Sequence, residues 1–273
     1  MSNPLERIAA ALERLSPPAP TPTDWDAHPG YVWDRAGVHA VPRIEAPSLA
    51  LLKGIDAQKT AVAGNVARLA SGAAAHDMLL WGARGMGKSA LLRAAVAAAQ
   101  AERPGTLALV QAAPDALASL PALFATLGRS ERRFLVFLDD LGFDSGDSLA
   151  ARHLRSWLEG GVEARPGNVR LAVTSNRRAI LERHLSEQED PINPRDAVDD
   201  KLALADRFGL SVGFHACSQD DYLAIVAGYA AAAELDWEAG DALEWSRRRG
   251  SRSGRVAWQY VTELAGRAGK PLG

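Results

Sequence analysis

Cysteine is nearly absent from this sequence. Cys217 is the only one, so an intramolecular disulfide is impossible and a zinc site built from several thiolates is excluded. Long apolar runs are missing too. None approaches the roughly 18 residues of a membrane-spanning helix, and Met1–Leu15 carries Glu6, Arg7, Glu13 and Arg14 where a signal-type segment would be apolar. The expectation is a cytoplasmic protein with no membrane attachment. An excess of one charge is also lacking: the formal net charge is −2, so nothing basic overall advertises nucleic acid, and no nucleic-acid partner is expected. His28, His39, His76, His153, His184 and His215 are scattered without ligand spacing, which argues against a histidine metal site. What remains, 273 residues with 47% hydrophobic and 23% charged side chains, is an ordinary globular chain with room for one large domain and a smaller accessory one.

The stretch that carries chemistry is Gly82-Ala-Arg-Gly-Met-Gly-Lys-Ser89, which fits the phosphate-cradling pattern G-x-x-x-x-G-K-[ST]. An apolar run, Asp77–Trp81, precedes it and a run of strong helix formers, Ala90–Gln100, follows. Strand, glycine turn and helix are the context in which such a loop works. Glycines admit positive φ, so the backbone N–H groups of Gly82, Ala83, Arg84, Gly85, Met86 and Gly87 can converge on an anion at the helix N-terminus. Lys88 adds a point charge toward the β and γ phosphates, and the Ser89 hydroxyl is a ligand for Mg²⁺. Binding of a nucleoside triphosphate, ATP with Mg²⁺, is the reading.

Further strands alternate with helices. Gly105–Gln111 reads as a second strand, followed by a helix over Asp115–Leu127. Phe134-Leu-Val-Phe-Leu138 is continuously apolar and ends in Asp139-Asp140, as expected of a strand buried on both faces whose C-terminal end meets the ligand. Asp139 is placed to hold Mg²⁺. Asp140 is the candidate base that orients the attacking water, with a shorter side chain than the Glu often found there. A helix is expected over Ser148–Glu159. Asn168–Ser175 is a fourth strand, with Asn176 at its end either to bridge the γ-phosphate and the water or simply to make the turn. Residues 186–196 read as a loop, 197–204 as helix-compatible, and Leu210–His215 as a fifth strand. From Ser218 onward only helices are expected, over Ser218–Tyr229, Glu238–Arg248 and Val256–Ala268.

At the other end, Leu5, Ile8, Leu12 and Leu15 give a short amphipathic helix, and the proline-rich Ser16–Thr23 a tether. Trp25, Tyr31 and Trp33 follow, as packing for a small extension or as a recognition surface. Residues 1–33 are therefore the candidate contact for a protein partner.

Five strands, paired acids on the third, a polar residue ending the fourth and a helical lid together resemble the AAA+ ATPases. More narrowly, Leu79–Ser89, Leu138-Asp-Asp-Leu141, Thr174-Ser-Asn-Arg-Arg178, Ala205-Asp-Arg-Phe-Gly-Leu210 and Gly250-Ser-Arg-Ser-Gly-Arg-Val-Ala-Trp258 look like an uncharacterised bacterial family of predicted AAA+ ATPases. The resemblance implies an α/β P-loop NTPase fold with a five-stranded parallel sheet flanked by helices and a small all-helical C-terminal lid. On that basis residues 1–52 are an N-terminal extension, 53–216 the nucleotide-binding core and 217–273 the lid. It further implies that Gly54-Ile55 wraps the adenine, that Asn176 is the first sensor and that Arg255 is the second, on the lid. Arg207 resembles the arginine finger offered by a neighbouring subunit, implying a homo-oligomer, possible as a ring. Residue by residue, Arg207 also reads as a helix-end arginine paired with Asp206 or Asp200, and Arg255 as a solvated basic turn. The expected function is Mg²⁺-dependent ATP hydrolysis that drives conformational change in a protein assembly. The alternatives are an ATP-gated protein-binding module with slow hydrolysis, and a nucleic-acid loader or motor suggested by Arg177-Arg178, Arg247–Arg249, Arg252 and Arg255.

Overall fold

Side chains of a strand alternate between the two faces of its sheet, and the central strands of this protein are apolar on both. In β3 (Met78–Gly82), Met78 and Leu80 enter one hydrophobic layer and Leu79 the other; in β5 (Arg133–Leu138), Leu135 and Phe137 face the first while Phe134, Val136 and Leu138 face the second. A sheet buried on both faces needs helices on both, which parallel crossover connections supply. The computed structural model describes residues 3, 4, 7, 23–141, 158, 165–176 and 207–272. The expectations for a helix at 5–15, a tether at 16–22, a helix at 148–159 apart from Leu158, a loop at 186–196 and a helix at 197–204, and the pair Arg177-Arg178, lie outside the described residues.

Among the described residues the sheet has seven strands in the order β2-β1-β4-β5-β6-β3-β7, two more than expected. The five foreseen are β3, β4 (Leu107–Ala112), β5, β6 (Val169–Ser175) and β7 (Leu210–Phe214), and all run parallel. The additional two come from the N-terminal segment: β1 (Gly30–Asp34) lies parallel to β4, and β2 (Gly37–Val41) returns antiparallel at the edge. Their tight turn is made by Asp34, whose carboxylate accepts from the N–H groups of Ala36 at 2.7 Å and Gly37 at 3.1 Å.

The aromatic stretch is thus packing. Trp25 and Tyr31 are buried, their rings 4.7 Å apart, with Trp25 edge-on to Phe134 at 5.9 Å. Arg132 fastens this segment to the core by donating to the carbonyls of Trp25, His28 and Leu107 at 2.8–2.9 Å.

Helices α1 (Asp56–Ala70) and α2 (Lys88–Glu102) cover one face of the sheet, and α3 (Leu120–Leu127), entered through a tight turn at Pro114–Ser119, covers the other. The C-terminal helices are α4 (Gln219–Ala232), α5 (Ala239–Arg248) and α6 (Gly254–Arg267). Ser218 and Asp221 form a reciprocal capping box on α4, and the Ser253 hydroxyl caps α6 by accepting from the Val256 N–H. Tyr222, Ile225, Val256, Tyr260 and Val261 join the hydrophobic layer that holds α1 and α2, so these helices are seated on the core. Among the described residues no helix is long and apolar enough to cross a membrane.

Candidate functional site

Register places the site. β3 lies beside β6 with Leu80 opposite Thr174 and Trp81 opposite Ser175, and β5 lies beside β6 with Leu138 opposite Val173. The loop that follows β3, the acids that follow β5 and the end of β6 therefore emerge together at the C-terminal edge of the sheet. Gly82 is required there because its φ is +120° and a Cβ would stand 2.1 Å from the Phe214 carbonyl oxygen. Ala83 fixes the start of the loop by donating its N–H to that same oxygen at 2.8 Å.

A compact polar relay results. The Ser89 hydroxyl, from the first turn of α2, donates to Asp139 Oδ1 at 2.6 Å, and the Thr174 hydroxyl donates to the same oxygen at 2.6 Å. Thr174 also accepts from the Asp140 N–H at 2.8 Å, fixing the turn in which Asp140 adopts a φ of +53°. The Asn176 amide donates to Asp140 Oδ1, and Arg84 Nη2 stands 4.0 Å from Asp140 Oδ2.

Lys88 is only 5% exposed and donates to the carbonyls of Gly82 and Ala83, each at 2.9 Å. Burial pushes its ammonium down to about 8, against the opposing pull of Asp140 and Asp139. A buried cation with two neutral carbonyl partners at the head of a helix is a receptor for negative charge.

These groups form one wall of an open cleft of about 350 Å³, within the size range of small-molecule sites. Its lining includes Gly85–Ala90, Asp139, Asp140, Thr174 and Asn176 from the core, Leu52, Lys53 and Ile55 from the segment before α1, Ile225 and Tyr229 from α4, and Gly254, Arg255 and Trp258 from α6. The lid and loop touch directly, since the Arg255 N–H donates to the Gly85 carbonyl at 3.2 Å. No group of three or more His, Cys, Asp or Glu side chains able to hold a metal occurs among the described residues. The side-chain oxygens that line the cleft belong to Ser89, Asp139, Asp140, Thr174 and Asn176.

The expected site residues divide three ways. Ile55, Gly85, Met86, Gly87, Lys88, Ser89, Asp139, Asp140, Asn176 and Arg255 line the cleft. Gly82 lies beneath it, Gly54 backs onto the Asp221 side chain, and Ala83 and Arg84 face an adjoining cavity shared with Cys217, Arg247 and Arg252. Arg207 does not reach it. It precedes β7, whose first residue pairs with Met78 at the start of β3, so it stands at the opposite end of the sheet from its own phosphate loop. Thr174, Arg93, Tyr229 and Trp258 were not foreseen as site residues. Thr174 carries a signal in retrospect, a hydroxyl directly before the polar end of an apolar strand, whereas Tyr229 and Trp258 carry none beyond helical spacing.

The family described as "Protein of unknown function (DUF815)" matches residues 26–268. No curated protein sequence matches significantly. Among solved structures, the Thermotoga maritima RuvB Holliday junction branch migration motor superposes with a TM-score of 0.51 at 16% identity, over 82% of this chain and 66% of that one. The Aeropyrum pernix ORC1 protein, solved in complex with DNA, gives 0.54 at 16% identity over 79% and 61%. The chain thus spans no more than about two thirds of the length of these structures. At such identity the likeness establishes the fold, that of the AAA+ P-loop NTPases.

Proposed function

We propose that this chain, which belongs to the family of proteins of unknown function DUF815, is a Mg²⁺-dependent ATPase that converts its nucleotide state into movement within a protein assembly. The observation that carries the reading is the convergence of Ser89 and Thr174 on one oxygen of Asp139, 2.6 Å from each, beside the buried cation of Lys88. Ser89 and Asp139 fit Mg²⁺, which takes few protein oxygens and leaves the remaining positions to water and phosphate. A bound Mg²⁺ would neutralise charge on the transferring phosphoryl group. Lys88 binds the phosphates, Asn176 positions Asp140, and Asp140 orients and deprotonates the attacking water. Arg255 reaches the cleft from the lid, residues 217–273, and closes it against the core, residues 53–216. Arg207 serves the site of a neighbouring copy in a homo-oligomer, and residues 1–33 contact a protein partner through side chains other than the buried Trp25 and Tyr31.

Turnover of ATP by the purified protein tests the reading. Lys88→Ala should abolish nucleotide binding, while Asp140→Asn should keep binding and slow hydrolysis by about a hundredfold or more, as expected for loss of a general base. Variants that turn over ATP like the parent would remove the assignment. The engagement of Asp140 by both Asn176 and Arg84 favours a second reading, in which hydrolysis is slow and ATP acts mainly to order the lid for a partner. Partner binding that depends on ATP but survives Asp140→Asn selects that reading.

A further inference from the structure

We infer that Trp258, braced by Tyr229, is the platform on which the base of the bound nucleotide stacks. The inference rests on the nucleotide reading of the same cleft and adds to it the groups that recognise the base. Among the described residues Trp258 is the large hydrophobic side chain left exposed, at 40%. It lines the cleft together with the phosphate loop. Burying an indole is among the larger gains open to a folding chain, so one left uncovered beside a binding cleft calls for a flat apolar partner.

The lining sorts by chemistry. Lys88, Ser89, Asp139, Asp140 and Asn176 suit a triphosphate and its cation, whereas the aliphatic side chains of Leu52, Ile55 and Ile225 and the ring faces of Tyr229 and Trp258 suit a planar ring. Trp258 follows Arg255 by three residues on α6, so both lie on one helix face. The Arg255 N–H donates to the Gly85 carbonyl at 3.2 Å, which ties the start of α6, one turn before Trp258, to the phosphate loop. Tyr229 holds it from α4, edge to face, with ring centroids 5.2 Å apart and planes at 80°. A half-exposed indole braced on its neighbour loses little freedom when a base is laid on it, which is the condition for stacking to contribute. Stacking accepts any base, so the platform supplies affinity for the nucleoside and leaves the choice between purines to other contacts.

Equilibrium binding of the full chain to ATP and to inorganic tripolyphosphate, each with Mg²⁺, separates the platform from the phosphate cradle. Trp258→Ala should weaken ATP binding about tenfold and leave tripolyphosphate binding unchanged. Trp258→Phe should retain most of the ATP affinity, and Lys88→Ala should lose both ligands. The platform is overturned if Trp258→Ala binds ATP like the parent, or if it loses ATP and tripolyphosphate alike, since that marks a lid-packing role; in either case binding that still depends on Lys88 leaves the nucleotide reading standing. A parent protein that binds neither ligand overturns the nucleotide reading and the platform with it.

Discussion

Lys88 holds its proton weakly. With its ammonium depressed to about 8 by burial, it is already losing charge in mildly alkaline solution, whereas a nucleotide binds the charged form. Nucleotide affinity should therefore be flat below about pH 8 and fall above it, by up to about tenfold per pH unit, and binding near pH 8 should take up a proton. Titration calorimetry in buffers of different ionisation enthalpy measures that uptake; affinity independent of pH from 7 to 9 would show that Lys88 keeps its charge there or does not meet the phosphates. The same shift bears on the unliganded fold. Between about 8 and the ordinary lysine value of 10.5 the unfolded chain holds a proton that folded Lys88 does not, so stability rises with pH in that window. Lys88, Ser89 and Asp139 were legible in the sequence because a contiguous motif and a strand end announce them. Thr174 was not, since its partner Asp139 lies 35 positions away and only the register of β5 on β6 brings them together.

At the scale of elements, the contact between the phosphate loop and α6 leaves no slack. Gly85 has a φ of +75°, and a Cβ there would stand 2.8 Å from the Ser253 hydroxyl that caps α6. Gly85→Ala should push the lid from the loop, lowering stability by about 1–2 kcal/mol and weakening nucleotide binding about tenfold or more. Adding Ser253→Gly removes the collision at a cost of a few tenths of a kcal/mol in capping and should recover part of both losses, read by thermal unfolding and equilibrium binding. No recovery would mean that the collision is not the cause. The C-terminal helices were readable to within three residues at each end, because caps and apolar spacing are local. β1 and β2 were not. Gly-Tyr-Val-Trp-Asp has strand-forming side chains but is short and set in a polar, glycine-containing stretch, and it is a strand because β4 offers an edge while Arg132 ties the preceding Trp25 and His28 carbonyls to the core.

For the molecule as a whole, the cleft is lined by Arg255 but not by Arg207, and under the ring proposal it gains its last cation from another copy. Arg207→Ala should then leave ATP binding intact and reduce turnover by about a hundredfold or more. Mixing it with Asp140→Asn, itself slow, should restore part of the rate, because the mixed interface pairs an intact Asp140 with an intact Arg207. Mixtures no faster than the average of their components would show that Arg207 does not act between copies. The strand order β6-β3-β7 also sets a schedule on the ribosome. The strand that feeds the phosphate loop is finished at Gly82, yet both of its neighbours are made later, β6 ending at Ser175 and β7 at Phe214. The nascent protein carries the complete octet long before any sheet can hold it, so nucleotide cannot guide early folding. It can only reward a chain whose synthesis has passed the last strand.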